Sequence, residues 1–279
     1  HTHTHTHTNA HTHTHMSAEE EEACRVYVMN RALQDEIEKD TKRTWPDLHF
    51  FREAHDFGGS EGEHYDGGTG LPGHHQLAIT RVLFTFARLN PGIRYVQGMN
   101  EVLAPIYYVF KVDPTEDFNI EAEADAFWCF HTLMETLRDV YDMTQDDFQE
   151  GIHAYLNQLE CLLAIIDPEL AHHLVRQGVK AMYYAMSWIT LMLSQEFRLP
   201  DVLRLWDSIL AQDQQHRLSF LLHICCAMVV RLKDELLRGD FAENLQLLQS
   251  YPREMDVEDL IYLAKRLESV TVCIEGKAA

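Results

Sequence analysis

The sequence lacks the features of a secreted or membrane-spanning protein. Its six cysteines include no pair at C-x-x-C spacing, and most of them sit in apolar stretches, as buried free thiols do. We therefore predict no disulfide framework and a reducing compartment. The longest nearly apolar run, residues 220–230, is interrupted by His223 and is too short to cross a bilayer. Because no signal peptide is visible either, the prediction is a cytoplasmic protein.

Basic charge is also scarce. The chain has 23 Lys and Arg residues against 44 Asp and Glu residues, which gives a formal net charge of -21. Nucleic acids and anionic membranes are bound through basic patches, so we predict no nucleic-acid binding and no direct membrane binding. The same charge predicts that a protein partner presents a basic surface and that association weakens with salt.

Loops that bind phosphate are missing as well. The sequence contains no G-x-x-x-x-G-K-[ST] segment and no G-x-G-x-x-G segment after a strand, so the chain itself is not expected to hold a nucleotide. Metal-ligand patterns are weak. Glu61/His64 and Glu150/His153 have the E-x-x-H spacing of di-iron bundles, but the first pair lies in a glycine-rich stretch where no helix presents it. We predict no metal site, and metal analysis of tag-free protein tests the alternative of a metal-dependent helical enzyme.

The chain divides into a tag, one large domain and a short tail. Residues 1–16 alternate His and Thr up to a methionine and are set aside as an expression tag. With 46% apolar residues, the remainder can build a sizeable core. We predict one domain over residues 17–270 and a tail over residues 271–279. Within the domain, residues 56–75 hold more than half of the 13 glycines and are expected to form a flexible loop.

Helical periodicity dominates the domain, and no alternating strand pairs with hairpin turns are present. The predicted fold class is therefore all-α, a single multi-helix domain. Pro105 is expected to kink its helix, and Asp240 and Asp256 are expected to cap theirs. The predicted helices cover residues 25–43, 75–89, 99–110, 119–138, 151–165, 168–176, 180–195, 200–211, 217–236, 240–250 and 256–269.

The end of the first predicted helix carries Ile37, Asp40 and Arg43 at intervals of three residues. At about 100° per residue they fall on one broad helix face. Asp40 can therefore pair with Arg43 and fix its guanidinium group. On its own, this pattern is typical of a surface ion pair.

A second segment follows the turn Asn90-Pro91-Gly92 and runs from Arg94 to Glu101. In it, Gln97 precedes Gly98 in a loop that opens a helix. Glycine lets the backbone approach a partner or adopt a positive φ. The glutamine amide can both donate and accept hydrogen bonds, so it can orient a water molecule. On its own, the segment is typical of a glutamine in a turn or at a helix cap.

A third segment, Leu199 to Asp207, predicts a helix with Leu203 and Trp206 facing inward. Alone, it indicates core packing and capping.

Together, the three segments resemble the TBC-domain family of Rab GTPase-activating proteins. Ile37-x-x-Asp40-x-x-Arg43 is similar to that family's arginine-finger motif. Residues 95–100 (Y-V-Q-G-M-N) are similar to its glutamine-finger motif, and residues 203–207 (L-R-L-W-D) to its third motif. The motifs occur in the family's order, and the resemblance covers about residues 25–270. It implies a TBC-type fold and, as activity, acceleration of GTP hydrolysis on a Rab.

The resemblance also implies residue roles and partners. Arg43 neutralises charge on the transferred phosphoryl group, Gln97 orients the attacking water, and Asp40 holds Arg43. GTP and Mg²⁺ belong to the Rab-type GTPase, so the chain has no cofactor of its own and meets membranes only through the Rab. The remaining residues implied to support the site or the partner surface are Ile37, Arg94, Tyr95, Gly98, Asn100, Asp201, Arg204, Trp206 and Asp207.

Beside the metal-dependent helical enzyme, one further alternative stays open. A Rab-binding scaffold keeps the same fold without catalysis, and an Arg43→Ala substitution would cost it little. A hydrolase is disfavoured, because Ser187 and Ser194 lie in helical context without a strained G-x-S-x-G turn.

Overall fold

Helices joined by short turns make up the chain in the computed structural model. The structure describes residues 17–46, 48–52, 73–112, 119–141 and 151–278, and no strand occurs within these ranges. The predicted all-α fold is confirmed. The tag, the Glu61/His64 pair, Glu150 and most of the predicted loop 56–75 lie outside the described residues.

The helices are numbered in chain order, and two short 3-10 helices, Ala181–Tyr183 and Gln214–His216, lie between them. The α-helices of the described ranges are α1 Ala18–Thr41, α2 His49–Arg52, α3 His74–Leu89, α4 Met99–Val112, α5 Asn119–Thr136, α6 Arg138–Tyr141, α7 Ile152–Ile166, α8 Pro168–Gln177, α9 Ala185–Thr190, α10 Leu199–Leu210, α11 Arg217–Arg231, α12 Lys233–Leu236, α13 Phe241–Gln249 and α14 Val257–Ala278.

The apolar run of residues 220–230 forms most of α11, the central helix of the core. All residues from Phe220 to Val229 are buried, because α7, α9, α10 and α14 pack around this helix. Burial on all sides explains why the run shows no polar face. No helix in the described ranges is both long and apolar enough to span a membrane.

The N-terminal helices assemble around α3. Helix α1 packs on α3, which contacts α4 and α5, and α4 packs along α5. A buried hydrogen bond between Thr41 Oγ1 and Thr80 Oγ1, 3.0 Å apart, fixes the end of α1 on α3. The last turn of α1 and the first turn of α4 are therefore held in one rigid frame.

Several predicted helix ends are confirmed. The Asp240 carboxylate accepts from the backbone N–H groups of Ala242 and Glu243, and the Glu243 side chain accepts from the Asp240 N–H, which completes a capping box. Asp256 Oδ1 likewise accepts from the N–H of Glu258. The last helix, however, continues to Ala278, past the predicted end at residue 269. Helix α4 also continues through Pro105 to Val112.

The predicted single helix over residues 180–195 is wrong. The chain forms the 3-10 helix 181–183 and the short α9, and then turns sharply at Met192 and Leu193, whose φ angles are 50° and 64°. Helical periodicity alone does not reveal this break, because the residues on both sides remain apolar. The contacts that hold the turn come from residues far away in the sequence.

The prediction that most cysteines are buried is also wrong for the described residues. Cys225 and Cys226 are buried in α11, whereas Cys24, Cys129 and Cys161 are exposed. All five are free thiols. The exposed three lie in helices that turn only one face to the core, so an apolar neighbourhood in sequence does not bury them.

Candidate functional site

Arg43 lies in the turn directly after α1, next to buried residues at the end of that helix. Ile37 is fully buried and Asp40 is 4% exposed, so one face of α1 is anchored in the core. The helix ends at Thr41, and the Arg43 side chain remains 60% exposed. Arg43 Nη2 donates to Asp40 Oδ1 across 2.5 Å, as the spacing of three residues predicts. The guanidinium group is thus directed by a buried carboxylate and still accessible to a partner.

The second oxygen of Asp40 is bound by Tyr95. The Tyr95 hydroxyl donates to Asp40 Oδ2 across 2.5 Å in a buried setting. Burial and the adjacent Asp40 raise the pKa of Tyr95 far above its ordinary value, so the phenol keeps its proton and acts as donor. One carboxylate therefore joins Arg43 to the loop that carries Gln97.

Asn100 provides a second connection between α1 and α4. Its Nδ2 donates to Thr44 Oγ1 at 2.9 Å and to the backbone oxygen of Asp40 at 3.4 Å. Thr44 Oγ1 in turn donates to the same backbone oxygen at 3.1 Å. These buried bonds occupy the polar groups at the end of α1 and fix the start of α4 beside it.

Gln97 lies exposed in the loop between Tyr95 and Gly98. Within the part of the chain that the structure describes, its side chain makes no hydrogen bond. The loop bends at Arg94 (φ 62°), whose N–H donates to Asn90 O at 2.9 Å, and at Gly98 (φ 102°). Arg94 is exposed and shapes the backbone of the loop. The amide of Gln97 is available to a partner, while the loop on both sides of it is fixed.

The turn at Met192 and Leu193 supports the Gln97 loop from behind. A Cβ atom at Gly98 would lie 2.7 Å from Leu191 Cδ2, so only glycine allows this close approach. Trp206 Nε1 donates to Met192 O at 2.8 Å from α10. Two consecutive left-handed residues that are not glycine cost roughly 1–2 kcal/mol each, and such strain persists only where the surroundings enforce it. Trp206 therefore supports the Gln97 loop indirectly, through this turn.

The other residues of the third segment make their contacts elsewhere. Arg204 donates to both carboxylate oxygens of Glu258, at 2.5 and 3.0 Å, and to Ser208, and so ties α10 to α14. Asp207 is exposed and Asp201 is half-buried. The structure thus brings Ile37, Asp40, Arg43, Tyr95, Gly98 and Asn100 together around two helix ends. It does not place Arg204 or Asp207 with them.

A sequence model of the Rab-GTPase-TBC domain family matches residues 69–237, more than half of the 279-residue chain. The chain belongs to this family. Gln97 and Trp206 lie within the matched residues of the TBC domain, and Arg43 precedes them. The predicted membership of the TBC-domain family is thereby confirmed, and the matched residues do not include the segment 37–43.

Relatives of this TBC domain agree with that assignment. TBC1 domain family member 13 of Homo sapiens is 46% identical over 194 residues, which cover 70% of this chain and 48% of that protein. GTPase-activating protein gyp1 of Schizosaccharomyces pombe is 30% identical over 204 residues, 67% of this chain and 39% of that protein. The chain therefore spans about half, or less, of the length of these relatives.

A solved structure shows the same fold. The crystal structure of the Ypt/Rab-GAP domain of Gyp1p superimposes with a TM-score of 0.71 at 23% identity, covering 95% of this chain and 77% of that one. At this identity the likeness concerns the fold alone.

Glu101 is a site residue that the sequence reasoning missed. It is 8% exposed in the first turn of α4, and its Oε1 accepts from Asn100 Nδ2 at 3.1 Å. Burial raises its pKa from 4.5 to about 7, while the charge of Arg43 and hydrogen bonds from Asn100 and the Trp45 backbone act in the opposite direction. A glutamate directly after Asn100 at the start of an apolar helix was the available signal.

We expect Glu101→Gln to make the TBC domain more stable at alkaline pH. Because the pKa of Glu101 is raised on folding, the unfolded chain releases this proton between pH 4.5 and 7 while the folded chain retains it, and stability falls as pH rises through that range. Glutamine keeps one acceptor oxygen and carries no charge. The variant should match the parent near pH 4.5 and exceed it by up to about 3 kcal/mol at pH 8.

Urea unfolding of both proteins at the two pH values measures this difference. Glu196, whose pKa burial also raises to about 7, contributes equally to parent and variant and cancels. The exposed Glu36→Gln is the matched control, and its stability should differ from that of the parent by the same amount at both pH values. If the free energies of unfolding of Glu101→Gln and the parent differ by the same amount at both pH values, the raised pKa of Glu101 is contradicted.

The residues weighed for the metal and hydrolase alternatives that fall in the described ranges lie in or next to α7 and α9. No group of three or more His, Cys, Asp or Glu side chains there could hold a metal ion. His153 lies in the first turn of α7, Ser187 lies in α9, and Ser194 lies in the turn that follows α9.

Proposed function

We propose that this TBC domain accelerates GTP hydrolysis on a Rab-type small GTPase by supplying Arg43 and Gln97 to the active site of that GTPase. The observation that carries the proposal is that the buried Asp40 carboxylate accepts a hydrogen bond on each of its two oxygens. One of its oxygens holds Arg43, and the other holds Tyr95, two residues before Gln97. Two exposed side chains with complementary chemistry are thus positioned from one buried group.

Arg43 supplies positive charge. The transition state of phosphoryl transfer is loose, with negative charge spread over the oxygens of the transferred group, so catalysis depends on positioning and charge stabilisation. A guanidinium group already directed by Asp40 loses little freedom when it meets this charge. Asp40 is buried and cannot itself reach a partner, so its role is to position Arg43.

Gln97 supplies the polar amide that orients the attacking water. Its oxygen can accept from the water while its NH₂ group donates to the phosphoryl oxygens or to the GTPase. Tyr95 and the Gly98–Leu191 contact hold the loop on both sides, so the amide is presented with a restricted set of positions.

Nucleotide and Mg²⁺ belong to the partner in this scheme. The TBC domain has no phosphate-binding loop and supplies no hydrolytic site of its own, so it acts as an activator. Its contact with membranes is indirect, through the GTPase. The "GTPase-activating protein" in the name of the fission yeast relative supports the proposal.

The test is single-turnover GTP hydrolysis by a panel of GTP-loaded Rab GTPases, with and without the TBC domain. We expect strong acceleration of at least one member and none by the double variant Arg43→Ala/Gln97→Ala. Failure to accelerate any member contradicts the proposal. Tight binding of a GTP-loaded Rab without acceleration would instead identify the scaffold alternative.

A further inference from the structure

A cleft of about 660 Å³ opens beside Arg43 and contains groups that the two-residue mechanism does not use. Its walls come from the segment after α1, from the turn and loop before α10, and from the loop before α14. Arg43 is one of its wall residues. A surface that contacts Arg43 can therefore also reach this cleft.

The charged groups of the cleft are mainly hydrogen-bond donors. Arg43, Arg198 and Arg253 line it, although the chain as a whole carries a net charge of -21. Arg198 pairs with Glu254 at 3.5 Å, with side chains 65% and 83% exposed, and such an exposed pair is weak. Each guanidinium group has five N–H donors, so an internal partner leaves donors for an incoming acceptor.

The carboxylate of the cleft is already occupied. Glu101 lies in the wall and accepts from Asn100 and from the Trp45 backbone. Ser194 is 1% exposed, and its hydroxyl has no hydrogen-bond partner among the described residues. The indole Nε1 of Trp45 is also buried and has no partner among these residues. A buried donor without a partner costs about 1–3 kcal/mol, which an arriving acceptor can offset. The floor between these groups is apolar and includes Phe197 and Leu199.

We propose that this cleft binds an extended acidic segment of the GTPase, with one apolar side chain on the floor and flanking carboxylates on the arginine rim. The proposal rests on the proposed function, because the position of Arg43 in the wall makes the cleft continuous with the catalytic contact. It also refines the charge prediction: the partner surface that faces this cleft is acidic, whatever the charge of the surface elsewhere.

The cleft determines affinity, whereas Arg43 and Gln97 determine the rate of chemistry. Charge reversal at Arg198 or Arg253 should therefore raise KM about tenfold and leave kcat within about twofold of the parent. Both substitutions are made in a domain that retains Arg43 and Gln97. Arg198 is the cleaner position, since its exposed side chain contributes little to folding.

The experiment measures kcat and KM for an accelerated Rab with Arg198→Glu, Arg253→Glu and Arg176→Glu. Arg176 is exposed at the end of α8 and does not line the cleft, so its reversal controls for net charge. Kd for the same Rab loaded with a non-hydrolysable GTP analogue gives a readout independent of turnover. A Rab variant with Lys in place of an acidic residue beside its nucleotide should recover affinity for Arg198→Glu.

Two results would overturn the proposal. One is that neither Arg198→Glu nor Arg253→Glu changes KM or Kd, or that the control Arg176→Glu changes them by the same amount. The other is inorganic phosphate that binds the parent and not Arg198→Glu but does not weaken Rab binding to the parent at millimolar concentration, which would make the cleft an anion site that the Rab does not use. Failure of the proposed function is distinct: it would appear as a kcat that Arg43→Ala does not lower.

Discussion

Replacing Arg43 with alanine should lower the maximal rate of GTP hydrolysis on a responsive Rab by about 10³-fold or more, the general range for an arginine supplied to a GTPase in trans. The size follows from the transition state, in which charge develops on the phosphoryl oxygens and Arg43 is the cation that the proposal places beside it. Because the Arg43 side chain is 60% exposed, its removal leaves no cavity in the core, but the buried Asp40 carboxylate loses one of its two side-chain donors. The loss should therefore fall on kcat.

Single-turnover rates at saturating TBC domain measure this effect, with circular dichroism and thermal unfolding as controls for the fold. Arg43→Lys is the informative second variant. Lysine keeps the charge but not the planar set of donors, so it should recover only a small part of the rate. A kcat for Arg43→Ala within a few-fold of the parent would contradict the role and favour a Rab-binding scaffold.

The elements of the site that depend on short-range spacing could be predicted from the sequence. Asp40 and Arg43 lie three residues apart at the end of a helix, so their ion pair follows from short-range spacing. The glycine after Gln97 indicated an unusual backbone, and φ at Gly98 is 102°. Capping by Asp240 and Asp256 likewise depends on neighbours within a few residues.

The contacts that unite the site join segments far apart in the chain, and the sequence gives no local signal for them. Tyr95 and Asp40 are 55 residues apart, and nothing in either segment indicates that a phenol meets that carboxylate. Leu191 and Gly98 are farther apart still. The break at Met192 was missed for the same reason, because it is enforced by Trp206 from another helix.

Net charge was a poor guide to the surface around Arg43. A total of -21 describes the average of the chain, yet Arg43, Arg198 and Arg253 converge on one cleft. Electrostatic attraction acts over about 8–10 Å at physiological salt, so local charge near the contact outweighs distant charge. We therefore expect the local charge of the cleft, and not the net charge of the chain, to govern affinity for the GTPase.

Replacing Gln97 with alanine should lower kcat by about 10²-fold, the usual scale for losing one preorganised polar group in a catalytic site. The expected effect is smaller than for Arg43, because a water molecule can still enter the site, whereas the loss of Arg43 removes a full positive charge from beside the phosphoryl oxygens. Gln97 is exposed and has no side-chain hydrogen bond among the described residues, so the fold should be unaffected. Single-turnover rates and KM for the Gln97→Ala domain measure the effect, with Gln97→Glu, which retains the length and an acceptor, as the matched variant.

The double variant Arg43→Ala/Gln97→Ala tests whether the two side chains act as one unit. Without Arg43, Asp40 loses one of its two side-chain partners, and its bond to Tyr95 no longer fixes the loop relative to a catalytic guanidinium group. Gln97→Ala should therefore cost less in the Arg43→Ala background than in the parent, since groups that act together are not additive. If the two substitutions lower kcat independently, the hydrogen bonds of Asp40 with Arg43 and Tyr95 have only a structural role. If Gln97→Ala changes KM alone, the amide binds the GTPase, and the water must be oriented by a residue of the GTPase itself.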